Sequence, residues 1–335
     1  MKRIAILGSG SWGTALAIVL SRAHKPHELS MWVRDASLAE SIRHDRENRL
    51  YLPGHKIPEN VQVTHDAAAA LQDAEVAIGA IPAVHARGVF QRIMPHIARG
   101  AAMVSATKGL EPATHSRMSE VISQVAPQKF PPRVAVLSGP SFAAEAAAGQ
   151  PTAVVLASAD PALANELQEE FAGPSFRLYT NEDVLGVELA GAMKNVIAIA
   201  AGACQGLGLG SNPLAALITR GLAEMSRLAV ALGARQETLS GLAGLGDLVL
   251  TCTGSLSRNR HVGIELGRGR SLAETLTGMH KMVAEGVGTA AALLALAQEH
   301  GVALPITEQV EAILHQGRSP QDAIRSIMER PLKRE

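Results

Sequence analysis

The sequence predicts an α/β protein in which an N-terminal domain with a mostly parallel sheet precedes an all-helical C-terminal domain. In the first half, short β-rich segments alternate with helical patterns, which is typical of βαβ units and a parallel sheet. The predicted strands of this region lie at residues 3–8, 28–34, 75–81, 101–107 and 133–138. Two further strands, at residues 152–157 and 175–179 with a helix at 162–171 between them, are expected to extend the same sheet.

The second half has a different pattern. After residue 181 the β-branched segments disappear and long stretches rich in Ala, Leu and Gly follow. Residues 183–204 form one predicted helix with small residues on several sides, as expected for a helix buried between neighbours. A chain of 335 residues also exceeds what one core usually supports. The predicted domains are therefore residues 1–180 and 181–335.

Composition narrows the possible partners and compartment. The chain has 31 basic and 31 acidic residues, so no net charge attracts it to nucleic acid or to an anionic membrane. Residues 195–219 lack charge but contain polar residues and glycines, which makes a poor membrane span, and the first apolar run is too short for a signal peptide. Cys204 and Cys252 stand far apart, and the twelve histidines show no metal-binding spacing. We expect a cytoplasmic protein without a metal.

A glycine pattern follows the first predicted strand. The sequence GSGSWG, which begins at Gly8, matches G-x-G-x-x-G between a strand and a helix. Gly8 would permit the tight turn, Gly10 would let the backbone approach a pyrophosphate, and Gly13 would let helix and strand pack closely. The amides of Ser11 and Trp12 would point at the anion. The pattern predicts a dinucleotide-binding Rossmann domain, the alternative being a glycine-rich turn without a ligand.

The residue after the second strand bears on the choice of cofactor. Arg34 lies about twenty residues beyond Gly13, where an NAD enzyme usually has an acidic residue for the ribose. A guanidinium can pair with a 2′-phosphate and stack on adenine, so we favour NADPH over NADH. In the alternative, Asp35 binds a ribose hydroxyl and Arg34 is a solvated surface residue.

Two further segments follow predicted strands, at the sheet edge where Rossmann domains bind their ligands. Lys108 is one candidate for chemistry, although a capping or surface lysine would occupy the same place. The sequence GPSFA from Gly139 to Ala143 opens a helix, so the amides near Ser141 could meet an anion, and Ser141 could instead be a plain N-cap. A serine hydrolase is disfavoured because a nucleophile elbow requires glycine where Ala143 stands.

Lys194 is the outstanding catalytic candidate, because it lies within the long small-residue helix. A buried lysine is costly unless it is paired, and desolvation lowers its pKa from about 10.4 toward neutrality. Such a group can exchange a proton with a carbonyl oxygen that takes a hydride. Asp247, four residues from Thr251 on one predicted helical face, could hold Lys194 charged and oriented. A lysine that extends to solvent from an ordinary helix is the alternative.

The run Ser257, Arg258, Asn259 and Arg260 places a hydroxyl, an amide and two guanidinium groups side by side. These groups together suit a phosphate monoester, because guanidinium forms bidentate hydrogen bonds with phosphate. A solvated basic turn is the alternative.

Six ordered motifs resemble those of the bacterial-type NAD(P)-dependent glycerol-3-phosphate dehydrogenase family over nearly the full chain. They are GSGSWGTA from residue 8, ATKGLE from 106, SGPSFA from 138, GAMKN from 191, AGLGDL from 243 and SRN from 257. The resemblance implies reversible reduction of dihydroxyacetone phosphate to sn-glycerol 3-phosphate by NADPH or NADH. It also implies a cytoplasmic homodimer that supplies glycerol phosphate for phospholipid synthesis.

The same resemblance implies roles for individual residues. Lys194 would donate the proton, Lys108 would touch cofactor and substrate, and Asp247 and Asn195 would organise the lysines. The implied substrate contacts are Lys108, Gly139, Ser141, Lys194, Asn195, Asp247, Ser257, Arg258 and Asn259. The implied cofactor contacts, besides the glycine turn, are Ser11, Trp12, Arg34, Lys108, Ala143, Arg258, Val283 and Glu285.

Two other functions stay open at this point. Relatives of the same architecture oxidise hydroxy acids or hydroxyacyl thioesters, and the run from Ser257 to Asn259 argues for a compact phosphate instead. A nicotinamide-nucleotide sensor without turnover would lack catalytic groups, whereas Lys108, Lys194 and Asp247 are all present.

Overall fold

The computed structural model describes residues 1–127, 131–279, 283–332 and 334. The chain divides into two compact units, residues 1–188 and 189–335. The predicted boundary after residue 180 falls slightly earlier, inside the last strand of the first unit.

The first unit contains one eight-stranded sheet with the order β3-β2-β1-β4-β5-β6-β7-β8. Its strands are β1 (Lys2–Leu7), β2 (His27–Trp32), β3 (Val61–Thr64), β4 (Val76–Gly79), β5 (Ala102–Ser105), β6 (Arg133–Ser138), β7 (Thr152–Ala157) and β8 (Phe176–Asn181). Neighbouring strands are parallel except β6 and β7, which are antiparallel. The first six strands have the order of a dinucleotide-binding sheet, which confirms the predicted fold class.

Helices cover both faces of this sheet. They are α1 (Ser11–Leu20), α2 (Ala36–Asp45), α3 (Ala67–Leu71), α4 (Ala83–Ile93), α5 (Met118–Val125), α6 (Ala143–Ala147) and α7 (Pro161–Phe171), with a 3₁₀ turn at Met94–His96. Side chains alternate along β1, so Ile4 and Ile6 join a core with α1, while Ala5 and Leu7 join a second core with Phe90 of α4. Such burial on both faces explains why the central strands β1, β4 and β5 consist mostly of apolar residues.

All seven predicted strands are present, and those at 133–138 and 152–157 have the predicted bounds. Sequence reasoning missed β3, which has only four residues and two buried valines, Val61 and Val63. A strand this short gives almost no periodic signal.

All regular elements that the structure describes in the second unit are helices. Its elements are α8 (Val184–Gly206, which begins in the first unit), α9 (Ser211–Ala231), α10 (Gln236–Ser240), a π-helical turn (Leu242–Gly246), α11 (Asp247–Thr253), α12 (Arg258–Gly267), α13 (Leu272–Gly278), α14 (Glu285–Glu299), α15 (Pro305–His315) and α16 (Pro320–Met328). The predicted long buried helix is α8. It alone among the described helices is long and apolar enough to cross a membrane, but 83% of its apolar window is buried in the protein, as in a core helix.

Helices α8 and α12 cross with their backbones in contact. A Cβ atom added to Gly202 of α8 would overlap the carbonyl oxygen of Arg260, and one added to Gly263 of α12 would overlap that of Ile199. Gly206 and Gly267, one turn further along each helix, meet in the same way. Only glycine permits so close a crossing.

A buried carboxylate joins α9 to the start of α15. Glu224 accepts hydrogen bonds from the backbone N–H groups of Ile306 (2.6 Å) and Thr307 (3.3 Å), which the helix itself leaves without partners. Burial raises the pKa of Glu224 to about 7, although these N–H donors act in the opposite direction. Near neutral pH the carboxyl group therefore exchanges a proton while it caps α15.

Replacement of Gly263 tests the crossing of α8 and α12. We expect Gly263→Ala to destabilise the protein by about 1–3 kcal/mol or more, because the new methyl group must push two backbones apart. Thermal unfolding followed by circular dichroism measures the loss. Gly288→Ala is the matched control, since Gly288 is exposed in α14 and no described residue lies within 4 Å of the added Cβ. That variant should be neutral or gain up to about 1 kcal/mol; equal melting of both variants would refute the close contact.

Candidate active site

The glycine turn of the first unit is packed on one side and open on the other. Gly8 has φ +117°, and a Cβ there would lie 2.5 Å from the carbonyl oxygen of Ala80. A Cβ on Gly13 would overlap the carbonyl oxygen of Gly8, whereas no described residue lies within 4 Å of a Cβ on Gly10. The open space above Gly10 fits the close approach of a dinucleotide pyrophosphate.

Helix α1 begins within this glycine motif. Gly10 is its N-cap, and the backbone N–H groups of Ser11 and Trp12 belong to the first turn, which has no acceptor within the helix. The Ser11 hydroxyl donates to the carbonyl of Tyr51 (2.6 Å). The indole Nε1 of Trp12 is buried without a hydrogen-bond partner among the described residues. The N-terminus of α1 thus has the donors that an anion requires.

Arg34 and Asp35 follow β2 and have different surroundings. Asp35 is the N-cap of α2, where its Oδ1 accepts hydrogen bonds from the Leu38 backbone N–H (3.0 Å) and the Ser37 hydroxyl (2.8 Å). Arg34 is exposed and forms no hydrogen bond or ion pair with the described residues. Both side chains are exposed, but the Asp35 carboxylate is engaged by its own helix.

Lys108, Gly139 and Ser141 lie together at the carboxyl ends of the neighbouring parallel strands β5 and β6. The Lys108 ammonium donates to the Gly139 carbonyl (2.8 Å) and to the Ser141 hydroxyl (3.3 Å), and that hydroxyl donates to the same carbonyl (2.9 Å). The N-cap of α6 is Phe142, so the plain N-cap alternative for Ser141 is wrong. Ala143 is the first residue of α6, which packs against α1.

The loop that carries Lys108 is fixed by contacts that sequence reasoning missed. Three residues after Lys108, the nearly buried carboxylate of Glu111 accepts two hydrogen bonds from Arg87, at 2.7 and 2.6 Å. This guanidinium lowers the pKa of Glu111, so the pair stays charged. The Thr107 hydroxyl donates to the carbonyl of Ile81 (2.6 Å) and ties the loop to the end of β4. Nothing in the local sequence marks Arg87 as the partner.

In the second unit the ammonium of Lys194 is buried and paired. It donates to Asp247 Oδ1 at 2.5 Å and to the Thr251 hydroxyl at 3.0 Å. Lys194 is 6% exposed and Asp247 is fully buried, so the alternative of a lysine that extends to solvent is wrong. The predicted helical face of Asp247 and Thr251 is confirmed in α11. A charge buried in an apolar bundle needs such a partner.

Asn195 and Asn259 form a second polar link in this unit. Asn259 Nδ2 donates to Asn195 Oδ1 (2.8 Å), and Asn259 Oδ1 accepts from the backbone N–H of Gly286 (3.0 Å). A Cβ on Gly286 would lie 2.7 Å from the Asn195 carbonyl oxygen, so glycine is required there. The amide of Asn259 thereby joins α8, α12 and the first turn of α14.

The run that begins at Ser257 is divided between buried and exposed groups. Ser257 is buried as the N-cap of α12, where its hydroxyl accepts from the Arg260 backbone N–H (3.2 Å). Asn259 is also buried, whereas Arg258 is exposed. Val283 is exposed and Glu285 begins α14 beside Gly286. Of the predicted phosphate contacts, Arg258 is the one whose side chain is exposed.

The last groups to consider in the described residues are possible metal ligands and the thiol of Cys252. The described residues contain no group of three or more His, Cys, Asp or Glu side chains placed to hold a metal ion. Cys252 lies beside Thr251 in α11, and burial raises the pKa of its thiol to about 12. This thiol is therefore protonated and a poor nucleophile at neutral pH.

Comparison with known proteins covers both units. Residues 3–164 match the family model described as NAD-dependent glycerol-3-phosphate dehydrogenase N-terminus, and residues 183–325 match the corresponding C-terminus model. Two relatives named glycerol-3-phosphate dehydrogenase [NAD(P)+] are similar over their whole length. That of Koribacter versatilis is 55% identical over 99% of this chain and 98% of its own, and that of Acidobacterium capsulatum is 56% identical over 99% of both.

A solved structure agrees with these matches. The crystal structure of glycerol-3-phosphate dehydrogenase from Coxiella burnetii superposes with a TM-score of 0.92 at 42% identity, covering 98% of this chain and 99% of the other.

Paired substitutions test the ion pair of Lys194 and Asp247. Asp247→Leu alone should cost about 3–5 kcal/mol of unfolding free energy, because it leaves the ammonium buried without its partner. The double variant Lys194→Met with Asp247→Leu removes both charges and should recover most of that loss. Urea denaturation measures the difference. If the single variant were as stable as the double variant, the ammonium would not depend on Asp247.

Proposed function

The chain belongs to the NAD-dependent glycerol-3-phosphate dehydrogenase family, and on that basis we propose a specific reaction and cofactor. It catalyses the reversible reduction of dihydroxyacetone phosphate to sn-glycerol 3-phosphate, with NADPH as the preferred reductant and NADH as the second. The observation that carries this proposal is the buried ammonium of Lys194, held by Asp247 and Thr251. Reduction of a ketone requires such a proton donor.

Lys194 serves as the general acid. A bound dihydronicotinamide would supply the hydride for the ketone carbon, and negative charge would then develop on the ketone oxygen. Asp247 keeps Lys194 in its charged form inside an apolar bundle, so the ammonium can release a proton to that oxygen. In the oxidation of glycerol phosphate the neutral amine takes the proton back, and Thr251 orients the group in both directions.

The remaining contacts divide by chemistry. Arg258, exposed at the start of α12, binds the substrate phosphate, since guanidinium forms bidentate hydrogen bonds with phosphate oxygens. Lys108 binds both substrate and cofactor, with Gly139 and Ser141 beside it. Asn195, Ser257 and Asn259 complete the set of substrate contacts, and Ala143, Val283 and Glu285 complete that of the cofactor.

NADPH preference depends on Arg34. The dinucleotide pyrophosphate binds at Gly10, Ser11 and Trp12, and Arg34 at the end of β2 pairs with the 2′-phosphate. Asp35, as the N-cap of α2, is engaged in its own helix.

We also propose the cellular setting. The enzyme is a cytoplasmic homodimer that supplies glycerol 3-phosphate for phospholipid synthesis.

The first kinetic test concerns Lys194. Purified protein should oxidise NADPH when dihydroxyacetone phosphate is added, and Lys194→Ala should lower kcat by about a hundredfold or more, the usual scale for acid catalysis. The affinity for NADPH, measured by fluorescence, should stay nearly unchanged. Added primary amines should restore part of the rate, which a purely structural role would not allow. Lys25→Ala, a surface variant, is the control; near-normal kcat in Lys194→Ala would disprove the assignment.

The second kinetic test concerns Arg34. Arg34→Ala should raise the KM for NADPH about tenfold, because it removes a charge-assisted hydrogen bond to the 2′-phosphate, and should leave the KM for NADH nearly unchanged. Arg43→Ala provides the matched control, since Arg43 is an exposed arginine on α2, the helix that follows Arg34. A parallel change in both KM values would remove Arg34 from cofactor selection.

A further inference from the structure

The loop at residues 46–58, between α2 and β3, packs against the glycine turn. Arg46 has a left-handed backbone, with φ +49°, and its guanidinium donates to the carbonyls of Ile57 (3.2 Å), Pro58 and Val61 (2.9 Å). These contacts hold the two ends of the loop together. The loop is therefore an ordered part of the first unit. It lies outside the six sequence motifs, and no residue of it takes part in the proposed reaction.

Asn48 is the residue of this loop whose side chain contacts the turn. It is fully buried, and its Nδ2 donates to the Ser9 carbonyl (2.8 Å) and to the Thr14 hydroxyl oxygen (2.8 Å). Its Oδ1 accepts from the backbone N–H of Tyr51 (3.2 Å). The amide nitrogen and the amide oxygen of Asn48 are both hydrogen-bonded, so only one of the two possible amide orientations satisfies all three contacts.

We propose that Asn48 is a positioning residue for the dinucleotide: it holds the Ser9–Gly10 peptide so that the Gly10 N–H faces the pyrophosphate. In a trans peptide the C=O and N–H groups point in opposite directions. Because the Ser9 carbonyl points to Asn48, the Gly10 N–H points away from Asn48. No described residue lies within 4 Å of a Cβ added to Gly10, so there is open space beside this peptide for a ligand.

The same amide also connects the two sides of the turn. Ser9 lies just after β1, and Thr14 lies in the first turn of α1 and is fully buried. The Ser11 hydroxyl, which donates to the carbonyl of Tyr51, makes a second link from α1 to the loop. The turn is thus held in its binding conformation before the cofactor arrives, which lowers the ordering cost of binding. This inference rests on the proposed binding of NADPH.

The test is Asn48→Asp, which keeps the size of the side chain but replaces the donating amide with an acceptor. A carboxylate facing the Ser9 carbonyl repels it, so the peptide should turn and the Kd for NADPH, measured by titration without substrate, should rise about tenfold or more. The fall in kcat at saturating NADPH should be smaller than the loss of affinity. Asn60→Asp adds the same charge at an exposed asparagine of the same unit and should leave the Kd unchanged.

Two milder variants keep the test valid if Asn48→Asp does not fold. Asn48→Ala removes both donated hydrogen bonds without adding charge, and Thr14→Val removes one acceptor while leaving the bond to Ser9. The Kd should rise in both variants, more in Asn48→Ala. An unchanged Kd in folded Asn48 variants would overturn the inference while wild-type binding of NADPH upholds the proposed function. Wild-type protein that does not bind NADPH would overturn both.

Discussion

The second unit is organised by the need to bury a charge. Lys194 lies in the long apolar helix α8, and its ammonium is tolerated there because Asp247 and Thr251 accept its hydrogen bonds. This requirement fixes α11 beside α8. In the π-helical turn before α11, the backbone of Gly244 lies against that of Leu239, since a Cβ on Gly244 would overlap the carbonyl oxygen of Leu239. Backbone geometry and electrostatics therefore support the same placement of Asp247.

A second constraint brings distant parts of the sequence to the same helix. The glycine crossing of α8 and α12 allows the amides of Asn195 and Asn259 to meet, and Asn259 in turn receives the N–H of Gly286 at the start of α14. Three helices thus share one short chain of hydrogen bonds. Such a chain makes the position of each member depend on the others, which is how a bundle can hold reactive groups with little freedom.

Local signals explain what the sequence could predict. The turn at Gly8 follows from a motif of six residues, and a lysine inside an apolar helix indicates a buried partner whatever the fold. Asn48 and the pair of Arg87 and Glu111 were missed because their partners lie far along the chain and a polar residue in a loop carries no periodic signal. The run from Ser257 to Asn259 predicts one polar surface. Spacing alone cannot show that the amide nitrogen and the amide oxygen of Asn259 both form hydrogen bonds inside the helical unit.

The contact between α8 and α12 also limits how this chain can diverge. At Gly202 and Gly263 the obstacle to a larger side chain is the carbonyl oxygen of the facing helix, not a side chain. A side-chain obstacle can be removed by a second substitution, but a backbone obstacle remains whatever residue occupies the facing position. Substitution of either glycine therefore requires the two helices to separate and the surrounding core to repack. No single second mutation can compensate for it.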